Sequence, residues 1–215
     1  HDTVRRQRQM CIRDRPLTLD NGLWSMDFVR MGDALTPHAK MVCIANPQNP
    51  TGRCYSLAEL QALATFIEEH DLLLVCDEIH CQLILDEDKR HLPIAHAVPD
   101  IAHRTVSLFA ATKTYNIPGL GCAAAIVPDA ALRERFLATR GDLVPGPGPL
   151  NYIASEAAFN DRSEWVPELL TTLRRNRSLI EAVAGERMST MEATYLAWLN
   201  IDCLLYTSPS PRDRV

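Results

Sequence analysis

At 215 residues, 47% of them hydrophobic and 23% charged, the chain is long and apolar enough to bury a core of its own, which excludes disorder as its main state. Its longest apolar runs, Leu72 to Cys76 and Cys122 to Val127, fall far short of the roughly 20 residues of a membrane-spanning helix, and a net charge of −5 is wrong for a broad nucleic-acid surface. No membrane and no nucleic-acid partner is expected, and seven cysteines without a CxxC pair or a Cys/His metal spacing point to reduced thiols in a cytoplasmic protein rather than to disulfides or a metal site.

The chain opens on a basic stretch, RRQRQMCIRDR at residues 5–15, with no apolar run behind it of the kind a signal peptide needs. It closes on CLLYTSPSPRDRV at 203–215, where Pro209 and Pro211 block regular structure. Back-translation relates the two ends. Gln9 to Arg15 can be encoded by a frame containing AGATGTGTATAAGAGACAG, and Asp202 to Ser208 by one containing CTGTCTCTTATACACATCT, its reverse complement. Both resemble the mosaic-end adapter of a transposon-based sequencing library. Residues 1–15 and 203–215 are therefore expected to be adapter-derived, leaving Pro16 to Asp202 as natural sequence; a plain basic tail and a Pro/Ser tail are the alternative. The two ends carry seven arginines and three aspartates, so the remainder is more acidic than the whole.

Between the ends, apolar runs alternate with helical patterns. Lys40 to Ala45 is expected to be a buried strand stopped by a Pro/Asn/Gly cluster. Ser56-Leu57-Ala58-Glu59 is a capping box, and Leu57, Leu60, Ala64 and Ile67 follow at helical spacing as far as His70. A second strand, Leu72 to Cys76, runs into Asp77-Glu78. Thr105 to Ala110 and Cys122 to Val127 are two more strands, and Ala130 to Thr139 is helical. Asn151 to Asn160 and Trp165 to Val183 read as helices, and Tyr195 to Ile201 as a last strand. Strands alternating with helices, the strands almost wholly apolar, predict an α/β fold with a mostly parallel sheet and helices on both faces. Ligands in such sheets bind at the carboxyl ends of the strands.

Three of those ends carry unusual polar residues. Asn46-Pro47-Gln48-Asn49-Pro50-Thr51-Gly52 is either a stiff strand-to-helix turn or a turn that presents amides at the sheet edge. Asp77, ending a buried strand, loses hydration and needs a cation when ionised; as a plain cap it needs none. His80 close by is open to a structural role or a functional one. Thr112-Lys113-Thr114-Tyr115-Asn116 follows the strand TVSLFA, and Lys113 is either a surface lysine or a desolvated amine able to attack a carbonyl carbon.

Taken in order, NPQNPTG at 46–52, DEIH at 77–80 and ATKTYNIPGL at 111–120 resemble the fold-type-I pyridoxal-phosphate enzymes of the aspartate aminotransferase superfamily. Among these class I/II aminotransferases, the chain looks most like the branch of cystathionine β-lyase-type carbon–sulfur lyases. The similarity runs over essentially all of Pro16 to Asp202, from WSMDF at 24–28 to ATYLAW at 193–198. The resemblance implies a partial large cofactor-binding domain over 16–165, then an interdomain helix and the start of a small domain over 166–202.

The resemblance also implies roles. Lys113 forms the Schiff base with pyridoxal 5'-phosphate and shuttles the substrate α-proton. Asp77 pairs with the pyridine nitrogen, Asn49 hydrogen-bonds the phenolic oxygen ahead of a cis Asn49–Pro50 bond, and Thr112 helps to hold the phosphate. His80 stands where aminotransferases of the superfamily usually carry tyrosine, and the histidine form is typical of the lyase branch. The chain departs from the pattern at Ala110, where many relatives have serine, at Gly121, where many have a phosphate-binding arginine, and at Gln82, where lyases often have an acid. In relatives the glycine-rich phosphate loop precedes the point matching Pro16, and the carboxylate-binding arginine follows the point matching Asp202. The implied activity is cleavage of cystathionine or cysteine S-conjugates to thiol, pyruvate and ammonia by a homodimer acting on a small amino-acid substrate. The alternatives are an aminotransferase and a non-catalytic regulatory relative.

Overall fold

The computed structural model of the chain describes residues 17–141 and 144–201; the adapter-like stretches 1–15 and 203–215 lie outside the described residues. An antiparallel hairpin comes first, β1 (Thr18–Asp20) and β2 (Leu23–Ser25). They are joined by Asn21-Gly22, both at positive φ, the backbone a two-residue hairpin turn requires. A short helix, α1 (Phe28–Asp33), follows its N-cap Asp27.

The main sheet has four strands in the order β3 (Met41–Ala45), β4 (Leu73–Asp77), β5 (Thr105–Ala110), β6 (Ala123–Ile126). The first three are parallel, and β6 runs antiparallel to β5. Helix α2 (Leu57–Glu69) makes the β3-to-β4 crossover. The short helix α3 (Ile94–Ala97) and a 3₁₀ turn (Pro99–Arg104) lead into β5. Three helices follow β6: α4 (Ala130–Arg140), α5 (Pro149–Phe159) and α6 (Trp165–Ala184).

Helices cover both faces because side chains alternate along β4. Leu74 and Cys76 pack with Leu60, Leu63, Phe66 and Ile67 of α2, and with Ile94 and Ile101. Leu73 and Val75 point the other way, toward Val106, Val127 and Leu132, the last from α4. On α2 the buried positions 60, 63, 64 and 67 form one stripe at helical spacing, and burying each leucine or isoleucine there contributes roughly 1.5–3 kcal/mol.

Three expected strands differ from the structure. The run at 40–45 forms β3, but as an edge strand with Met41 and Cys43 exposed and none of its five residues buried. The run at 122–127 forms β6, but all four residues of β6 are exposed: it is an edge strand paired only with β5. Tyr195 to Ile201 is not a strand. Its neighbour there is the short stretch 187–189, and the pairing stops at one antiparallel bridge between Met188 and Leu199 with flanking bonds from Ser189 N to Trp198 O and from Asn200 N to Arg187 O. Among the described residues no helix is long and apolar enough to cross a membrane.

Candidate functional site

Register brings the three strand ends together. Ala45 of β3 lies beside Asp77, and Asp77 lies beside Leu108 of β5. The pairing continues past the strands: Asn46 N donates to Asp77 O at 2.9 Å, and Glu78 N to Leu108 O at 2.9 Å. The turn after β3, the DEIH segment and the lysine loop after β5 therefore share one edge of the sheet.

Asp77 follows Leu73 and Val75 on the α4 face by alternation, and its Oδ1 accepts from Ile79 N at 3.2 Å. His80 is buried at 2% exposure, yet neither ring nitrogen has a partner. Its ring meets the ring of Tyr195 edge-on, with centroids 5.4 Å apart. Burial, and after it the positive charge of Lys113, push His80 below its ordinary pKa, while the Asp77 carboxylate pulls the other way. His80 thus feels both Asp77 and Lys113. Lys113 is half-buried, and its amine has no hydrogen bond or ion pair with any described residue.

The lysine loop is a tight turn. Tyr115 N donates to Ala111 O at 3.0 Å and Ile117 N to Thr112 O at 3.2 Å, with Asn116 at positive φ. Thr112 is half-buried and Thr114 fully buried; the Thr114 carbonyl accepts from Trp165 Nε1 at 3.0 Å. The turn after β3 is also fixed, by Gln48 Oε1 accepting from Thr51 N at 2.8 Å, and both Asn46–Pro47 and Asn49–Pro50 are cis. Asn49, however, is exposed, and no hydrogen bond joins it to Asp77, His80 or Lys113.

The sequence profile described as Aminotransferase class I and II matches residues 3–204. The chain belongs to the aminotransferase class I and II family. Among curated relatives of this family, the cystathionine beta-lyase PatB of Bacillus subtilis is 33% identical over 88% of this chain and 50% of its own length. The aspartate/prephenate aminotransferase of Nitrosomonas europaea is 29% identical over 87% of this chain and 49% of its own. Among solved structures, the PLP-bound C-S lyase from Staphylococcus hominis superposes with a TM-score of 0.79 at 28% identity, covering 89% of this chain and 49% of that one. The chain thus spans about half the length of these class I and II relatives.

The burial of Asn46 and Glu78, and the pairing of Arg53 with Glu192, escaped the sequence reading of this aminotransferase-family chain. Asn46 is fully buried; its Oδ1 accepts from Tyr55 N at 3.1 Å, and its Nδ2 has no partner. The signal was its place directly after an apolar run. Glu78, with no exposed surface, pairs with His91 Nε2 at 2.5 Å. Arg53 and Glu192 form a buried ion pair at 2.5 Å.

Proposed function

We propose that the chain is the lysine-and-aspartate half of a pyridoxal-phosphate-dependent carbon–sulfur β-lyase, which cleaves cystathionine or related cysteine S-conjugates to thiol, pyruvate and ammonia. The observation that carries this reading is the register that brings the turn after β3, Asp77 and the lysine loop to one edge of the sheet, beside a buried His80 whose ring nitrogens have no partner. The residues fit the cofactor. His80 keeps two buried ring nitrogens without partners and Lys113 an unengaged amine, groups suited to a ligand that brings its own acceptors and an aldehyde.

When bound, pyridoxal phosphate supplies a carbonyl for amines and a ring that withdraws electrons from the substrate α-carbon. Lys113 Nζ would hold the cofactor through its aldehyde and, when free, would accept the substrate α-proton. Asp77 would pair with the pyridine nitrogen and favour its protonated form. Asn49, on the exposed turn after β3, would hydrogen-bond the phenolic oxygen, Thr112 would help to hold the phosphate, and His80 would line the cofactor site where aminotransferases carry tyrosine. Departure of the β-thiolate needs no second substrate, which is what separates a lyase from a transaminase.

The same reading includes the large and small domain portions at 16–165 and 166–202, natural sequence from Pro16 to Asp202, a homodimer and a cytoplasmic setting. Exposed apolar side chains on α5 and α6 support the dimer, and five free cysteines among the described residues support a reducing compartment. The aminotransferase reading uses the same Lys113 and Asp77 and draws on the Nitrosomonas europaea relative.

The test uses the protein extended to the full length of its relatives. Cystathionine alone should give pyruvate and free thiol at a rate that added keto acid does not change, and Lys113→Ala should remove both the activity and the visible absorbance of bound cofactor. Product that forms only with a keto acid acceptor would establish the aminotransferase instead. Absorbance that survives Lys113→Ala would take that residue out of its role.

A further inference from the structure

The Glu192 carboxylate is 2% exposed and meets three donors: Arg53 Nη1 at 2.5 Å, the Cys54 main-chain N at 2.8 Å, and Lys89 Nζ. Arg53, itself 5% exposed, gives its other Nη to Glu59 and its Nε to Trp24 O at 2.7 Å. Two cations and two carboxylates thus balance one another, the central Arg53–Glu192 pair out of water and Glu59 and Lys89 at its edge. Such clusters compare poorly with apolar packing as stabilisers, because desolvating the charges offsets much of their attraction. What a fully satisfied cluster does supply is one fixed geometry.

The geometry fixed here is that of the main chain around Glu192. Glu192 N and Ala193 N both donate to Gly52 O, at 2.9 and 2.8 Å, while Leu85 N and Asp86 N donate to Glu192 O. Thr194 N donates to Leu83 O at 2.7 Å. The approach at Gly52 is so close that a Cβ there would lie 2.9 Å from Ala193 O. Residues 192–194 therefore run in a slot between the turn after β3 and the segment 83–86. Thr194 is buried at φ 70, its Oγ1 accepting from Leu196 N, and the next side chain out of the slot is Tyr195. The Tyr195 ring meets the His80 ring edge-on, with centroids 5.4 Å apart.

We propose that the Arg53–Glu192–Lys89 cluster is a positioning device for the candidate site: by seating residues 192–194 in their slot it fixes the Tyr195 ring against His80 and keeps water from that imidazole. The proposal rests on the reading of His80, Asp77 and Lys113 as the cofactor site and adds the residues that hold one wall of it. The charged groups that bear on His80 are the Lys113 ammonium and the Asp77 carboxylate, and the third neighbour is the Tyr195 ring.

The test follows His80 by NMR through a pH titration of the isotope-labelled 215-residue chain, alongside pyridoxal-phosphate affinity read from visible absorbance. Glu192→Gln keeps the shape and removes the charge. It should shift the His80 midpoint upward as burial is lost, remove the ring-current shift from Tyr195, and weaken cofactor affinity roughly tenfold. Tyr195→Leu should reproduce the His80 changes with the ion cluster intact. A Glu192→Gln chain that melts earlier but keeps the parental His80 midpoint and resonances would overturn the proposal. Should Glu192→Gln not fold, Lys89→Met serves, because the Lys89 side chain is 34% exposed, and an unmoved His80 there overturns the proposal equally. Cofactor absorbance in Lys113→Ala is the separate arm: its persistence refutes the cofactor reading while the His80 shifts still decide the positioning role.

Discussion

His80 is a polar ring held at 2% exposure with no hydrogen-bond partner, an arrangement that costs stability unless a ligand completes it. Its lowered pKa fixes the sign of a pH effect. Below the ordinary imidazole value of 6.5 the unfolded chain takes up a proton that the folded chain resists, so the stability contributed here is present above that pH and is lost as the pH falls below it. The loss of urea resistance between pH 7.5 and 5.5 should be smaller in His80→Gln than in the parent; equal losses would contradict the buried, neutral ring. Asp77, His80 and Lys113 were legible because each is a polar residue at or just beyond the end of an apolar run, and parallel pairing gathers such ends at one edge. The partner of Arg53 was not legible. Glu192 lies 139 residues away, and an ion pair across that separation leaves no local pattern.

At the scale of elements, α2 ties the site to the core. Its capping box is complete: Ser56 accepts from Glu59 N, and Glu59 accepts from Ser56 N while also meeting Arg53. Ser56→Ala should cost about 1 kcal/mol in a denaturant melt, the usual value of such a cap. Leu63→Ala on the buried stripe should cost roughly 2–5 kcal/mol. Equal losses would mean that α2 is held by its end rather than by its face. The four longer helices and the parallel strands could be read within a residue or two of their observed ends, because burial on one face writes a period into the sequence, whereas the short α1 and α3 are too brief to show one. The edge position and antiparallel direction of β6 could not, since its Ala-Ala-Ala-Ile run looks the same at an edge as in a centre. The Asn21-Gly22 turn was a signal available in the sequence, and the three-residue strands on either side were too short to show alternation. Tyr195 to Ile201 has the residues of a strand and lacks a partner long enough to make a ladder.

For the whole molecule, apolar surface is unevenly spent. The α2 face is closed, whereas α5 and α6 leave Leu150, Tyr152, Ile153, Phe159, Leu179 and Val183 exposed. Such patches drive association, so the 215-residue chain should sediment with a weight that rises with concentration, and placing glutamate at Ile153 and Val183 should raise the monomer fraction. A parent chain that stays monomeric across the accessible range would contradict this. The parallel pairing of β3 with β4, and of β4 with β5, also sets the order in which the molecule can assemble. Each pairing joins residues roughly thirty apart in sequence, and the entropy of closing each loop is lost before its own ladder returns anything. Lys113 approaches Asp77 and His80 only once the β4-to-β5 crossover has closed. On the folding pathway the assembled site is thus a late product, and a nascent chain that has emerged only as far as β4 carries Asp77 without its lysine.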